Sequence, residues 1–144
     1  MSWTGPFVIR QLIEECTMAS RTRPPEANGV YVVSQRPWTL LPDEACGPLY
    51  VGSNTGQSAR FRTRIGDLLA DLFGFFGEET GHHSGGQHLF HYCCEKQIQP
   101  LDLYIGWVTT DCARCDENRL FDSLHPRLNR SRPSRCGVHT KRPG

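Results

Sequence analysis

Two short runs of strand composition constrain this chain more than any other feature. Residues 29–34 (GVYVVS) and 48–53 (PLYVGS) are rich in Val and Tyr, side chains that suit a pleated, half-buried surface. The stretch between them carries Pro37, Pro42, Gly47 and Pro48, so no helix fits there and the two runs are predicted to pair antiparallel through an enlarged hairpin. Fourteen Gly and ten Pro in 144 residues point the same way, to short elements separated by many turns. A chain of this length buries one modest core, and a hydrophobic fraction of 38% with three Trp, four Tyr and seven Phe is that of a globular domain.

The rest of the pattern surrounds that pair with helices. Residues 6–19 (PFVIRQLIEECTMA) place Val8, Leu12, Ile13 and Cys16 on one helical face before Arg23-Pro24-Pro25 breaks the chain. Beyond the polar turn Asn54-Thr55-Gly56, a second stripe runs through Phe61, Ile65, Leu68, Leu69 and Leu72. Residues 74–86 (GFFGEETGHHSGG) read as a loop, and a short helix is expected around Gln87–Lys96. Residues 101–108 (LDLYIGWV) have the composition of a third strand, and Thr110 or Asp111 is placed to cap a last helix that Pro126 stops near Leu124. The expected fold is α+β, a small antiparallel sheet of about three strands flanked by helices. Three parts follow: a helical extension at 1–27, the main domain at 28–130 and a basic tail at 131–144.

No apolar run approaches the length needed to span a bilayer, and the start MSWTGPFVIR lacks the apolar stretch of a secretion signal. A soluble cytoplasmic protein is therefore expected. Seven Cys is an odd number, which favours free thiols or metal ligands over a complete disulfide framework. A net charge of +1 says little, but its distribution says more. From Ser123 onward there is no Asp or Glu, while Arg127, Arg130, Arg132, Arg135, Lys141 and Arg142 accumulate. Such a stretch suits phosphate contacts, although a solvated tail has the same composition.

The chemistry lies in the order of four segments. Gly29-Val30-Tyr31 is followed by Tyr50-Val51-Gly52, then by a helix bearing Arg62-Thr63-Arg64-Ile65, then by Glu117-Asn118-Arg119-Leu120 and, further on, Pro126-Arg127-Leu128-Asn129. This arrangement, over roughly residues 28–130, closely resembles the GIY-YIG nuclease family, and its Glu-to-Asn stretch is similar to that of the excision-repair members. The resemblance implies an endonuclease that hydrolyses DNA phosphodiester bonds with Mg²⁺ or Mn²⁺. It implies a metal held by Glu117, a phosphate stabilised by Arg64, and water activated by Tyr31. Tyr50 and Asn129 would hold the geometry.

The residues argue in the same direction by themselves. Glu117 shares a helical face with Leu120, Phe121 and Leu124, and a carboxylate on an apolar stripe must be compensated by a cation or by the helix N-terminus. Arg64 borders the stripe formed by Phe61 and Leu68, Arg62 faces away from it, and Arg60 is the rival one turn earlier. A guanidinium there can fork onto a phosphate or simply pack along its helix. Tyr31 and Tyr50 would in the bland case be sheet tyrosines with satisfied hydroxyls, and a phenol acting as a base needs surroundings that lower its pKa. Asn129 has a turn or capping role as its alternative.

The chain also departs from the family. Leu68 stands where many members carry a Tyr or His, so either His83 or its neighbour His82, in the adjacent Gly-rich loop, folds back to supply the polar group, the preferred reading, or activity is low or absent. The spacer between the two tyrosine motifs is long, which makes residues 35–48 a candidate insertion for substrate contact. Cys112 and Cys115 form one CxxC pair, and Cys136 and His139 a CxxH pair, a set that suits a structural Zn²⁺ as well as free thiols. Two rival readings remain: a non-catalytic nucleic-acid-binding module of the same fold, and a zinc-stabilised interaction domain. A chain this short leaves a homodimer open.

Overall fold

The computed structural model describes residues 2–18, 27–54, 61–77 and 84–137. Four strands, β1 (Thr4–Val8), β2 (Gly29–Ser34), β3 (Pro48–Asn54) and β4 (Tyr104–Thr109), form one antiparallel sheet in the order β1-β4-β2-β3. Four helices accompany it: α1 (Ile9–Met18), α2 (Phe61–Leu72), α3 (Ser84–Lys96) and α4 (Ala113–Leu124). The class is α+β, a small antiparallel sheet flanked by helices.

Strand alternation divides the core. Tyr31 and Val33 on β2 share one face with their cross-strand partners Gly52 and Tyr50, whereas Val30 and Val32 share the other with Ser53 and Val51. The first face is covered by α1, α2 and α3 through Ile9, Leu12, Ile65, Leu68, Leu72 and Leu89. The second face is covered by α4 through Ala113, Leu120 and Leu124, with Trp3 and Trp38 packed edge to face 5.9 Å apart beside them.

One strand was not legible. The chain before Ile9, expected to begin a helix at about residue 6, runs instead as β1 and pairs with β4 at Thr4↔Trp107 and Phe7↔Ile105. The first residues therefore belong to the sheet, and only Ile9 onward is the anticipated helix. Pro6 reads as a breaker in sequence, yet a proline is tolerated on an edge strand, where its missing N–H leaves no ladder bond open. The short helix expected at Gln87 starts three residues earlier, at Ser84. Its first turn contains Gly85 and Gly86, which read as loop residues but permit close packing. A Cβ on Gly86 would lie 2.7 Å from the Leu68 carbonyl oxygen and 2.7 Å from Asp71 Cβ, so α2 and α3 approach only because that side chain is absent.

The long hairpin loop is ordered. Gln35 N–H donates to Gly47 O at 3.0 Å and Arg36 N–H to Cys46 O at 2.8 Å, while Asp43 caps a single 3-10 turn at Glu44–Cys46. Trp38 and Cys46 seal the second core cluster from this loop, leaving Leu40 and Leu41 exposed at its tip. The other side of the hairpin, β3, is the sheet edge, and the chain beyond α4 covers it. Arg127 N–H donates to Pro48 O at 3.2 Å and Leu128 N–H to Leu49 O at 2.7 Å. An uncovered edge strand invites pairing with other chains, and this segment removes that hazard.

Candidate active site

Tyr31 is fully buried, and its ring crosses the edge strand over Gly52. A Cβ at residue 52 would lie 2.3 Å from the Tyr31 hydroxyl oxygen, so the glycine opposite the tyrosine is what lets the phenol reach the edge of the sheet. Tyr50 is half-buried, its ring centroid 6.2 Å from that of Tyr31 with 38° between the planes. Its ring rests on Gly85 in the first turn of α3, where a Cβ would come within 2.3 Å of the ring. Arg64, from α2, donates to the Tyr31 hydroxyl, which donates in turn to that of Tyr50.

Glu117 arrives from the opposite side of the sheet. It stands on α4, and Ser53 Oγ, which points to the α4 face of β3, donates to its Oε1 at 2.8 Å. Burial pushes the Glu117 carboxyl above its ordinary range, against the hydrogen bond from Ser53 and the charges of Arg114 and Arg64. The acid also lies close enough to raise both phenols. Two phenols, two guanidiniums and one acid thus gather around β3, reaching it from both faces at the position where Gly52 has no side chain.

A base at Tyr31 would need a lowered pKa; burial raises its hydroxyl well above the usual phenol value, with Tyr50 and Glu117 adding to the rise and Arg64 opposing it. Burial raises Tyr50 as well, against the charge of Arg64. Both hydroxyls are therefore protonated at neutral pH, and of the two it is Tyr50 that meets solvent.

Asn129 takes a scaffold position. Its Oδ1 accepts from Val51 N–H at 2.9 Å and its Nδ2 donates to Val51 O at 2.9 Å, so one side-chain amide replaces a strand partner at the edge. That clamp holds the strand on which Tyr50 and Ser53 sit. Replacing Asn129 with Ala is expected to lower stability by about 1–3 kcal/mol, because two backbone groups lose their partners. Thermal melts check this, and an unchanged midpoint in Asn129→Ala would rule out the clamp.

Leu68 is fully buried in the main core, so the polar group of the family has no counterpart at that position. His82 and His83, the expected substitutes, lie outside the described residues, as does the rival Arg60. Sequence reasoning missed Ser53, Gly85 and Arg114. The signals existed: Ser53 alternates with Val51 toward the same face, and Arg114 precedes Glu117 by three on the helix.

A second group of ligands sits at the start of α4. The Sγ atoms of Cys112, Cys115 and Cys136 all lie within 4.8 Å of one another, with 2.9 Å between Cys112 and Cys115. Such a cluster could bind a metal such as zinc. His139, the fourth residue of the expected set, lies outside the described residues.

No protein-family model, curated protein or solved structure matches this chain. Its function must therefore be argued from the site itself. Among the described residues, no helix is long and apolar enough to cross a membrane.

Proposed function

We propose that this protein is a metal-dependent DNA endonuclease of the GIY-YIG type, as its four sequence motifs resemble. The observation that carries the reading is Glu117. A half-buried carboxylate with a raised pKa, beside Arg64 and two phenols that come from distant segments, is poor design for stability and good design for a site. Arg114 and Arg64 act on the acid through charge, and the hydrogen bond to it among the described residues comes from the Ser53 hydroxyl.

The residues fit a hard divalent cation, because Mg²⁺ is commonly held by one or two carboxylates together with waters and substrate phosphate oxygens. When bound, the ion supplies charge compensation at the phosphate and a more acidic water. Glu117 would hold it, oriented by Ser53. Arg64 would fork onto the phosphate and stabilise charge that builds during attack. Tyr31, protonated and buried, would fix the Arg64 and Tyr50 positions by hydrogen bonding. Tyr50, the solvent-facing phenol, would orient the attacking water. Asn129 would keep β3 in register beneath them.

The test is incubation with supercoiled plasmid and Mg²⁺ or Mn²⁺, with and without EDTA. Nicking or linearisation that EDTA stops supports the enzyme. The protonation of both phenols favours one rival, a nucleic-acid-binding module without catalysis, for which the same gel would show a salt-sensitive shift and intact plasmid.

The raised Glu117 pKa also predicts a stability signature. A carboxyl whose folded pKa exceeds its unfolded one favours the folded state while protonated, and that advantage is lost as pH rises through the carboxylate range. Glu117→Gln is therefore expected to melt higher than the native protein at neutral pH in EDTA. The difference should vanish at acid pH, where the native carboxyl is itself protonated. A lower melting point at neutral pH would show the acid to be structural.

A further inference from the structure

The segment after β3's cover does not leave the domain. Residues 131–137 run back along α4, antiparallel to it, one helical turn at a time. Arg132 pairs with Asp122 and lies over the Phe121 ring at 5.2 Å, and it donates to Asn118 Oδ1 at 3.2 Å. Asn118 Nδ2 donates to Ser134 O at 3.0 Å. Cys136 then reaches Cys112 and Cys115 at the helix start.

Every polar contact along this strap is at least partly exposed, and exposed pairs of this kind contribute little in water. They guide the strap without holding it. The helix start adds a second observation. Cys112 occupies the N-cap, where Ser, Thr, Asp or Asn would bond the first free N–H groups, and it makes no capping hydrogen bond. Its sulfur is turned toward Cys115 instead. Three sulfur atoms within 4.8 Å of one another, drawn from the helix start and from the strap, converge as the ligands of one soft cation do.

We propose that Cys112, Cys115 and Cys136 hold a soft divalent cation, Zn²⁺, and that this ion staples residues 131–137 to α4, fixing the helix that presents Glu117. The site is separate from the hard-cation position at Glu117: thiolates select zinc, while a carboxylate with waters and phosphate oxygens suits Mg²⁺. The staple stands whether or not the nuclease reading does; only its consequence for Glu117 rests on that reading. Ligand protons leave to solvent as the ion binds, so the affinity falls as pH falls.

Three measurements on the full chain test it. Protein loaded with ZnCl₂ and desalted should retain about one zinc per chain beyond what Cys136→Ser retains. Cobalt loading of the metal-free protein should give a thiolate-to-cobalt charge-transfer band that Cys136→Ser lacks. Cys136 lies outside all three core clusters, so this variant is expected to fold. Zinc should also slow amide exchange across residues 113–118 by roughly tenfold or more in the native chain and not in the variant. Zinc retention no greater than in Cys136→Ser overturns the site. Zinc that binds without slowing exchange in α4 overturns the staple. None of these readouts needs DNA cleavage: a zinc-loaded, exchange-protected protein that leaves plasmid intact sinks the nuclease reading alone.

Discussion

Glu117→Ala is expected to abolish Mg²⁺-dependent strand cleavage, a fall of about a thousandfold or more, the scale on which a single centre of charge stabilisation acts. The protein should stay folded. Glu117 lies on the flank of α4 that faces the sheet edge, and the apolar contacts of that helix come from Ala113, Leu120 and Leu124. Removing a carboxyl whose burial opposes its charge leaves one partner, Ser53 Oγ, which is only part-buried and can turn to water. Glu117→Asp should also fail, because one methylene less withdraws the acid from a serine that now holds it at 2.8 Å. The measurement is a plasmid-nicking time course on protein whose circular dichroism is unchanged. Cleavage by Glu117→Ala within about tenfold of the native rate would remove the acid from the mechanism, since tenfold is only about 1.4 kcal/mol of barrier.

Gly52→Ala should have the largest effect on the fold. The added Cβ would stand 2.3 Å from both Cζ and the hydroxyl oxygen of Tyr31, a contact no rotation at residue 52 can relieve, because a Cβ is fixed by the backbone. Tyr31 has no free volume to retreat into, being fully buried between β3 and the helices over its face. Forcing an extra methyl into a packed core destabilises by about 1–3 kcal/mol and sometimes more, and here the upper end is expected. For a chain of this size that lowers the melting point by roughly 10 °C. Tyr31→Leu in the Gly52→Ala background removes the ring and should recover much of the loss, so the double variant separates this clash from general strand damage. An alanine at 52 that melts with the native protein would mean that the Tyr31 ring does not cross the strand there.

The two substitutions probe opposite kinds of information. Gly52 looks in sequence like an ordinary strand glycine beside Val51, a residue that weakens a strand. Only the register, which sets Gly52 against Tyr31, turns it into the aperture of the site. Asn129 shows the converse. Its motif position resembles a catalytic asparagine, and its amide is spent on the backbone of Val51.

What the linear chain determined by itself was most of the elements and their faces, β1 excepted. Val and Tyr composition placed β2 and β3, apolar stripes placed α2 and α4, and Pro126 ended the last helix, because each of these depends on neighbours within a few residues. The tertiary structure decided the rest. It made Pro6 an edge-strand residue, let Gly86 draw two helices together, buried Tyr31 deeply enough to raise its hydroxyl, and brought Ser53 to Glu117 from across 64 positions of chain. Periodicity tells which way a side chain points from its own strand or helix. It carries no information about which residues from opposite faces of a sheet meet at its edge, and the candidate site lies at that meeting.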